Sequence, residues 1–208
     1  MHFNGFDQAD FDTFTIEGLE TRMEAIKNRI RPKFQAMGDT LTDELSILAG
    51  NEMFLHIAKH ARRTVNAPKD TWLAISANKQ GYKMLPHFQV GLFEDHVFIW
   101  LAFIYELPNE KEIASDFLEE IDSIGKLIPS DYVLSMDHMK KEAESMFNLG
   151  EEGLVKSLER FRDVKKAEFL VGRHVQSNDP ILKDGDKFIS LVSDTFKTLF
   201  PLYKISHQ

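Results

Sequence analysis

Between Glu52 and Gly91 the chain gathers three of its eight histidines, His56, His60 and His87, around the basic run Lys59-His60-Ala61-Arg62-Arg63. Six Lys and Arg (59, 62, 63, 69, 79 and 83) stand against two acids, Glu52 and Asp70, so this stretch is +4 in a chain of −8. Arg offers a phosphate or carboxylate a rigid fork of donors, and Lys a compact point charge. Lys59, Arg62, Arg63 and Lys83 are therefore candidates for an anion site, with His56 and His60 beside them. An unperturbed histidine titrates near about 6.5, so His56, His60, His87 and His174 are also candidates for acid and base at neutral pH. Arg173 joins His174 because a strand holding both can neighbour this island. The competing reading is structural: with 33 acids in the chain, Arg62 and Arg63 can close ion pairs with acidic helices.

His56 and His60 stand four apart, the spacing at which a helix presents two histidines to zinc. The residue after the first His is Ile57, not the glutamate that serves such sites as general base. The local period is also two, with Met53, Leu55 and Ile57 on one side and Phe54, His56 and Ala58 on the other. On a strand, positions four apart are about 13 Å distant, at roughly 3.3 Å per residue. No metal is expected, and no other cofactor. Outside a ligand site, His56 reads as a hydrogen-bonded residue under the helices and His60 as surface. Gly81 and Gly91 are isolated, so there is no glycine-rich phosphate loop, and neither a nucleophile elbow nor a complete calcium loop occurs. Asp137-His138 reads as local turn chemistry.

The elements that must position these residues follow from hydrophobic period. Phe11 and Phe14 mark a short helical turn. Leu19, Met23, Ile26, Ile30, Phe34, Met37 and Leu41 keep a helical spacing that Pro32 kinks or restarts. Gly38 weakens that spacing, and Leu41, Leu45 and Leu48 mark a following helix closed by Gly50-Asn51. Strands are expected at 53–57, 72–76, 88–93 and 96–106, the last apolar on both faces and hence central. Asn109 to Glu112 resembles a capping box that opens a helix to about Gly125. An edge strand at 132–136, a helical turn at 142–147, a helix after Gly150, a strand at 167–175 and a final helix yielding at Pro201 complete the chain. This order is α+β: a single domain, 1–208, with a mainly antiparallel sheet of about five or six strands and N-terminal, middle and C-terminal helices packed on it.

Composition agrees. Hydrophobic content of 43%, charged content of 28% and seventeen Phe suit a globular core. The absence of Cys excludes disulfides, thiolate zinc sites and cysteine nucleophiles, and fits a reducing, cytoplasmic setting. The first residues lack a cationic and apolar signal segment, and the longest apolar run, Val97 to Tyr105, is about half a membrane span.

At EMFLHIAKHARRTVNAPKDTW, GYKMLPHFQVGL and KAEFLVGRHV the chain resembles the YktB family of uncharacterised proteins from Gram-positive bacteria, over Phe11 to Tyr203. The resemblance implies one α+β domain and assigns no activity, cofactor or catalytic residue.

Three functions fit this pattern. The first is a cytoplasmic binding protein whose basic sheet surface holds an anionic, phosphate-bearing ligand, either a small molecule or a short nucleic acid. The second is a metal-independent hydrolase of a phosphate ester with histidine acid and base. The third is an interaction protein without a small-molecule site. No membrane partner is expected, and monomer and oligomer are equally compatible with the pattern.

Overall fold

Seven strands form one antiparallel sheet in the order β1-β2-β3-β4-β7-β5-β6, in a computed structural model that describes residues 2–207. The strands are β1 (Phe54–Ile57), β2 (Thr71–Ser76), β3 (His87–Leu92), β4 (His96–Phe103), β5 (Val133–Ser135), β6 (Glu144–Ser145) and β7 (Phe169–Gln176). The class is α+β as expected, with more strands than the five or six anticipated. The apolar run at 96–103 does become the middle strand, and all eight of its residues are buried.

One face of the sheet carries Leu73, Ile75, Phe88, Val90, Ile99, Leu101, Val171 and Phe169 against the helices. Those helices are α1 (Gln8–Asp12), α2 (Leu19–Ala25), α3 (Arg31–Ala49), α4 (Glu110–Glu119), α5 (Ile121–Leu127), α6 (Met146–Asp163) and α7 (Gly185–Ile205). Much of the phenylalanine load lies here: Phe88 meets Phe196 at 4.8 Å, and Phe103 meets Phe117 edge-on at 5.3 Å. No helix among the described residues is long and apolar enough to cross a membrane.

Several local expectations are corrected. A π turn, Ile26–Ile30, joins α2 to α3, while the restart expected at Pro32 holds, since it lies in the first turn of α3, where its missing N–H is tolerated. Gly38 does not interrupt α3. A Cβ there would lie 2.6 Å from Leu55 Cδ1, so the glycine lets β1 approach the helix. Asn109 makes no side-chain cap, and the expected long helix breaks at Glu120 into α4 and α5. Residues 133–135 are not an edge strand, since β5 lies between β7 and β6. Glu144–Ser145 forms that edge strand instead of a helical turn, and Gly150, at φ 58°, is a kink inside α6. Pro201 does not end α7, because the buried side chains of Phe200, Leu202 and Tyr203 hold the last turn on the core.

The opposite face of the sheet carries a smaller apolar cluster, Phe93, Phe98, Trp100, Ala102, Ile104 and Leu170, with Trp72 and Val133 at its rim. Loops rather than helices lie over it. Gly91 makes room for the Phe98 ring, since a Cβ at Gly91 would fall 2.1 Å from Phe98 Cζ and 2.7 Å from the Thr71 carbonyl. Gly91→Ala should therefore lower stability by roughly 1–3 kcal/mol, the usual cost of overpacking. In a denaturant double-mutant cycle Phe98→Ala should recover part of that loss. Additive effects would show that the ring is not what the glycine accommodates.

Candidate functional site

Register places the histidines on the loop-covered face. His56 pairs with Ala74, Ala74 with Gln89, and Gln89 with Trp100, so the four share one row across the sheet. Ser76, His87 and Ala102 form the adjacent row. His56 thus lies opposite the helical layer, not under it as the structural reading of the sequence had it. The 78–86 loop folds back over these rows and brings Tyr82 between the rings of His56 (5.4 Å) and His87 (4.8 Å). Trp72 Nε1–H donates to the Tyr82 hydroxyl at 2.9 Å and fixes the ring.

His87 is fully buried, and its bonds define its tautomer. Nδ1–H donates to the Leu85 carbonyl at 2.7 Å, while Nε2 accepts from the Gln89 amide at 2.7 Å. Burial pushes its pKa down to about 4. His60 has left the strand, which ends at Ile57. It sits in the 58–70 loop at φ 51°, half-buried, with Nε2 3.1 Å from Thr71 Oγ1 and its ring edge-on to Trp72. Burial, with Arg63 and Arg31 nearby, pushes His60 down to about 4. His60 is therefore not the plain surface residue of the structural reading.

The other candidates separate. His174 pairs with His96 at 4.2 Å and meets Trp100 at 5.0 Å, and burial followed by the His96 charge pushes it down to about 3. Arg173 faces the helical side, with its guanidinium 4.6 Å above Tyr132 and 3.3 Å from the Asp131 carboxylate. It does not join the island. Arg62 is exposed in the loop, and Arg63, half-buried, donates to the Asn66 carbonyl.

What does converge is a cleft of about 600 Å³ between β1 and the 78–85 loop, lined in part by His56, Lys59, Asn78, Tyr82 and Lys83. His56 Nε2 donates to the Asn78 carbonyl at 2.9 Å, which sets the ring orientation. Lys59 is exposed and makes no ion pair among the described residues. Lys83 donates to Glu106 at 2.8 Å, and that hydrogen bond holds its pKa above the ordinary value. The cleft is thus basic, with one of its two lysines already partnered.

Three residues on this side escape the sequence reading, Asp70, Glu106 and Glu168, and a fourth, His138, reads there only as turn chemistry with Asp137. His138 hydrogen-bonds Glu168 rather than Asp137, and the Glu168 carboxylate lies 2.7 Å from Nδ1 and is only 4% exposed. Glu168 also accepts from the backbone N–H groups of Tyr105 and His138, so this contact pins the 136–140 loop to the base of β7. Burial alone would lower the His138 pKa, but the Glu168 bond and charge, helped by Asp70 and Asp137, hold it above the ordinary value. Ligand atoms of Asp137, His138 and Glu168 lie within 4.8 Å of one another, close enough for a cation to bridge. Each already has protein partners, Asp137 through Met139 N–H and Lys140, so a hydrogen-bonded staple accounts for the cluster. Asp70, 3% exposed, is pushed up to about 6 by burial, partly offset by His138 and Arg63. Only its place at a strand entrance hinted at this.

Acid sensitivity follows from these shifts. A histidine whose folded pKa is depressed contributes stability that is complete above its ordinary 6.5 and is lost as pH falls toward the folded value. His60 and His87 (about 4) and His174 (about 3) act in this way. Asp70 opposes them between 3.8 and about 6, where the folded chain holds the extra proton. His138, whose pKa is held above 6.5, opposes them as well, but the lowered histidines outnumber these two groups, so the urea midpoint should fall between pH 7 and pH 5. His87→Gln should remove up to one proton from that dependence, about 1.4 kcal/mol per pH unit. An unchanged slope would place the acid sensitivity elsewhere.

Comparison with known proteins gives a consistent family and no activity. A model described as a domain of unknown function, DUF1054, matches residues 6–203. A UPF0637 protein of Shouchella clausii is 59% identical over 206 residues, covering 99% of this chain and 96% of its own. Similar proteins occur in Oceanobacillus iheyensis, 57% identical over 98% of this chain and 97% of the relative, and in Listeria welshimeri, 50% identical over the whole of both. The expected likeness to an uncharacterised Gram-positive family therefore holds along the full length, and the chain belongs to the DUF1054 family.

Proposed function

We propose that the protein is a cytoplasmic binding module that holds a small anionic, phosphate-bearing ligand in the cleft between β1 and the 78–85 loop. The observation that carries this reading is the convergence of His56, Lys59 and Lys83 on one concavity of about 600 Å³, in a chain of net charge −8. Pockets of this size suit small ligands. Tyr82 supplies a flat surface beside the cations, and Asn78 and Gln80 supply polar groups. The lack of Cys supports the reducing compartment.

Glu106 is the competitor for Lys83, so it sets the free charge of the cleft. Calorimetric titration with pyrophosphate should show saturable binding that weakens with added salt. Lys59→Ala with Lys83→Ala should weaken it by about tenfold or more, since hydrogen bonds to charged groups contribute about 1.5–3 kcal/mol. Glu106→Gln should tighten it by releasing Lys83. Absence of binding to both pyrophosphate and a short oligonucleotide at low salt would end the proposal.

A second reading, hydrolysis of a phosphate ester, draws on one observation. Glu168 holds His138 by Nδ1, leaving Nε2 as the nitrogen available for proton transfer. If this pair is catalytic, hydrolysis of bis-p-nitrophenyl phosphate by the intact protein should fall at least a hundredfold in His138→Gln. Equal rates in the two proteins would reduce the pair to its role as a loop staple.

A further inference from the structure

Strand β1 is one edge of the sheet, and the middle of its outward backbone is open. Ala58 N–H bonds the Trp72 carbonyl at 2.9 Å, in register with the four β1–β2 pairs, and this fixes the phase of the ladder. Residues 54, 56 and 58 therefore bond to β2, while the odd-numbered residues turn N–H and C=O outward. Both ends of that outward row are capped from α3. Ser46 Oγ accepts from Met53 N–H at 3.0 Å, and Arg31 Nη2 donates to the Lys59 carbonyl at 3.0 Å. Between the caps, Leu55 and Ile57 present two N–H and two C=O groups that have no protein partner among the described residues.

Two clefts flank this open segment. The loop-side cleft is the one described above. On the helix side, a cleft of about 510 Å³ is lined in part by Lys27, Arg31, Gln35, Leu55, Ile57 and Lys59. No carboxylate lines either cleft among the described residues, although Glu106 bonds Lys83 of the loop-side one. Lys27 and Lys59 are exposed, and Arg31 Nε is buried without a hydrogen-bond partner.

We propose that β1 accepts an extended acidic segment of a partner protein, which adds to the sheet as an eighth strand with its carboxylates in the flanking basic clefts. This rests on the anion-binding reading and names the partner. Outward N–H and C=O groups that recur every second residue match the backbone of another strand, and that recognition mode is strand addition. A nucleic acid would answer the charge but not the alternating donors and acceptors. A second copy pairing through β1 would bring Phe54–Ile57, which holds no carboxylate, to these basic clefts and would leave their charge unanswered. The far edge, β6, has only two residues and offers no comparable row.

The test uses the whole ¹⁵N-labelled chain and the acetylated heptapeptide Val-Glu-Glu-Val-Glu-Glu-Val, whose carboxylates fall on both faces of an added strand, at low salt. The expected result is a saturable shift of the Leu55 and Ile57 amides together with slowed hydrogen exchange at both. N-methylation of one alternate set of peptide residues should weaken binding at least tenfold, while methylation of the other set leaves it intact. This readout requires no change to the protein. Lys27→Glu with Lys59→Glu should give a similar tenfold loss. Equal binding of both methylated peptides, shifts confined to residues away from β1, or self-association through β1 would each overturn the inference. Pyrophosphate binding without peptide binding would sink the strand addition and leave the anion site standing. Failure of both ligands would remove the two together.

Discussion

Strand β4 must be covered on both faces, and much of the architecture follows from that requirement. All eight residues from His96 to Phe103 are buried, with Val97, Ile99, Leu101 and Phe103 on one side and Phe98, Trp100 and Ala102 on the other. A strand of this kind is stable only between two layers. The helices supply the first layer, where the sheet's apolar residues join those of α3, α4, α6 and α7 in a continuous core. The second has to come from loops, and loops bring unsatisfied backbone and polar side chains with them. A surface that is apolar at Trp100 and polar at Gln89 and His87 is the result.

That compromise explains why this face is rich in histidine and tyrosine. Each of these side chains has an apolar ring for contact and a polar atom for the exposed ends of the loops. His87 shows the arrangement most completely: its ring packs on Tyr82, one nitrogen ties the loop at Leu85, and the other is held by Gln89 within the same strand. Glu168 does the same for the 136–140 loop with a carboxylate. Buried polar groups satisfied in this manner fix one loop arrangement, whereas an unpaired one would cost about 1–3 kcal/mol. The same burial keeps His60, His87 and His174 neutral at physiological pH, so their number alone does not make a catalytic cluster. The geometry instead leaves His56, Lys59 and Lys83 at an open concavity.

The parts of this structure that were legible in the sequence are those set by period. Alternation at Met53 to Ala58 placed His56 on a strand, and the unbroken apolar run at 97–103 placed β4 in the middle. What period cannot carry is the destination of long-range polar contacts. Glu168 is separated by thirty positions from His138 and by sixty-three from Tyr105, so the bonds that hold the 136–140 loop leave no trace in local spacing. Arg173 lies beside His174 in the chain but across the sheet from it in space, because neighbours on a strand face opposite sides. The convergence of Lys83 with His56 depends on the 78–86 loop folding back over the sheet. Pro201 and Gly38 misled for a related reason. Both weaken a helix in isolation, yet packing of Phe200, Leu202 and Tyr203 in one case and of Leu55 in the other outweighs propensity.

The edge strand closes the same line of reasoning. A sheet with two ends has two rows of unpaired backbone groups, and such rows invite uncontrolled pairing unless they are blunted. At one end β6 is limited to two residues. At the other, α3 caps the outward row through Ser46 and Arg31, lysines flank it, and the strand stops after four residues when the chain turns at His60. These devices shorten the open edge to Leu55 and Ile57 without covering it. Further protection would have to come from α3, whose residues Gln35 and Gly38 already lie alongside, and Gly38 instead brings helix and strand together with no side chain to reach across. An edge that is guarded at both ends, charged on both sides and open between is better suited to admitting one complementary strand than to excluding all of them.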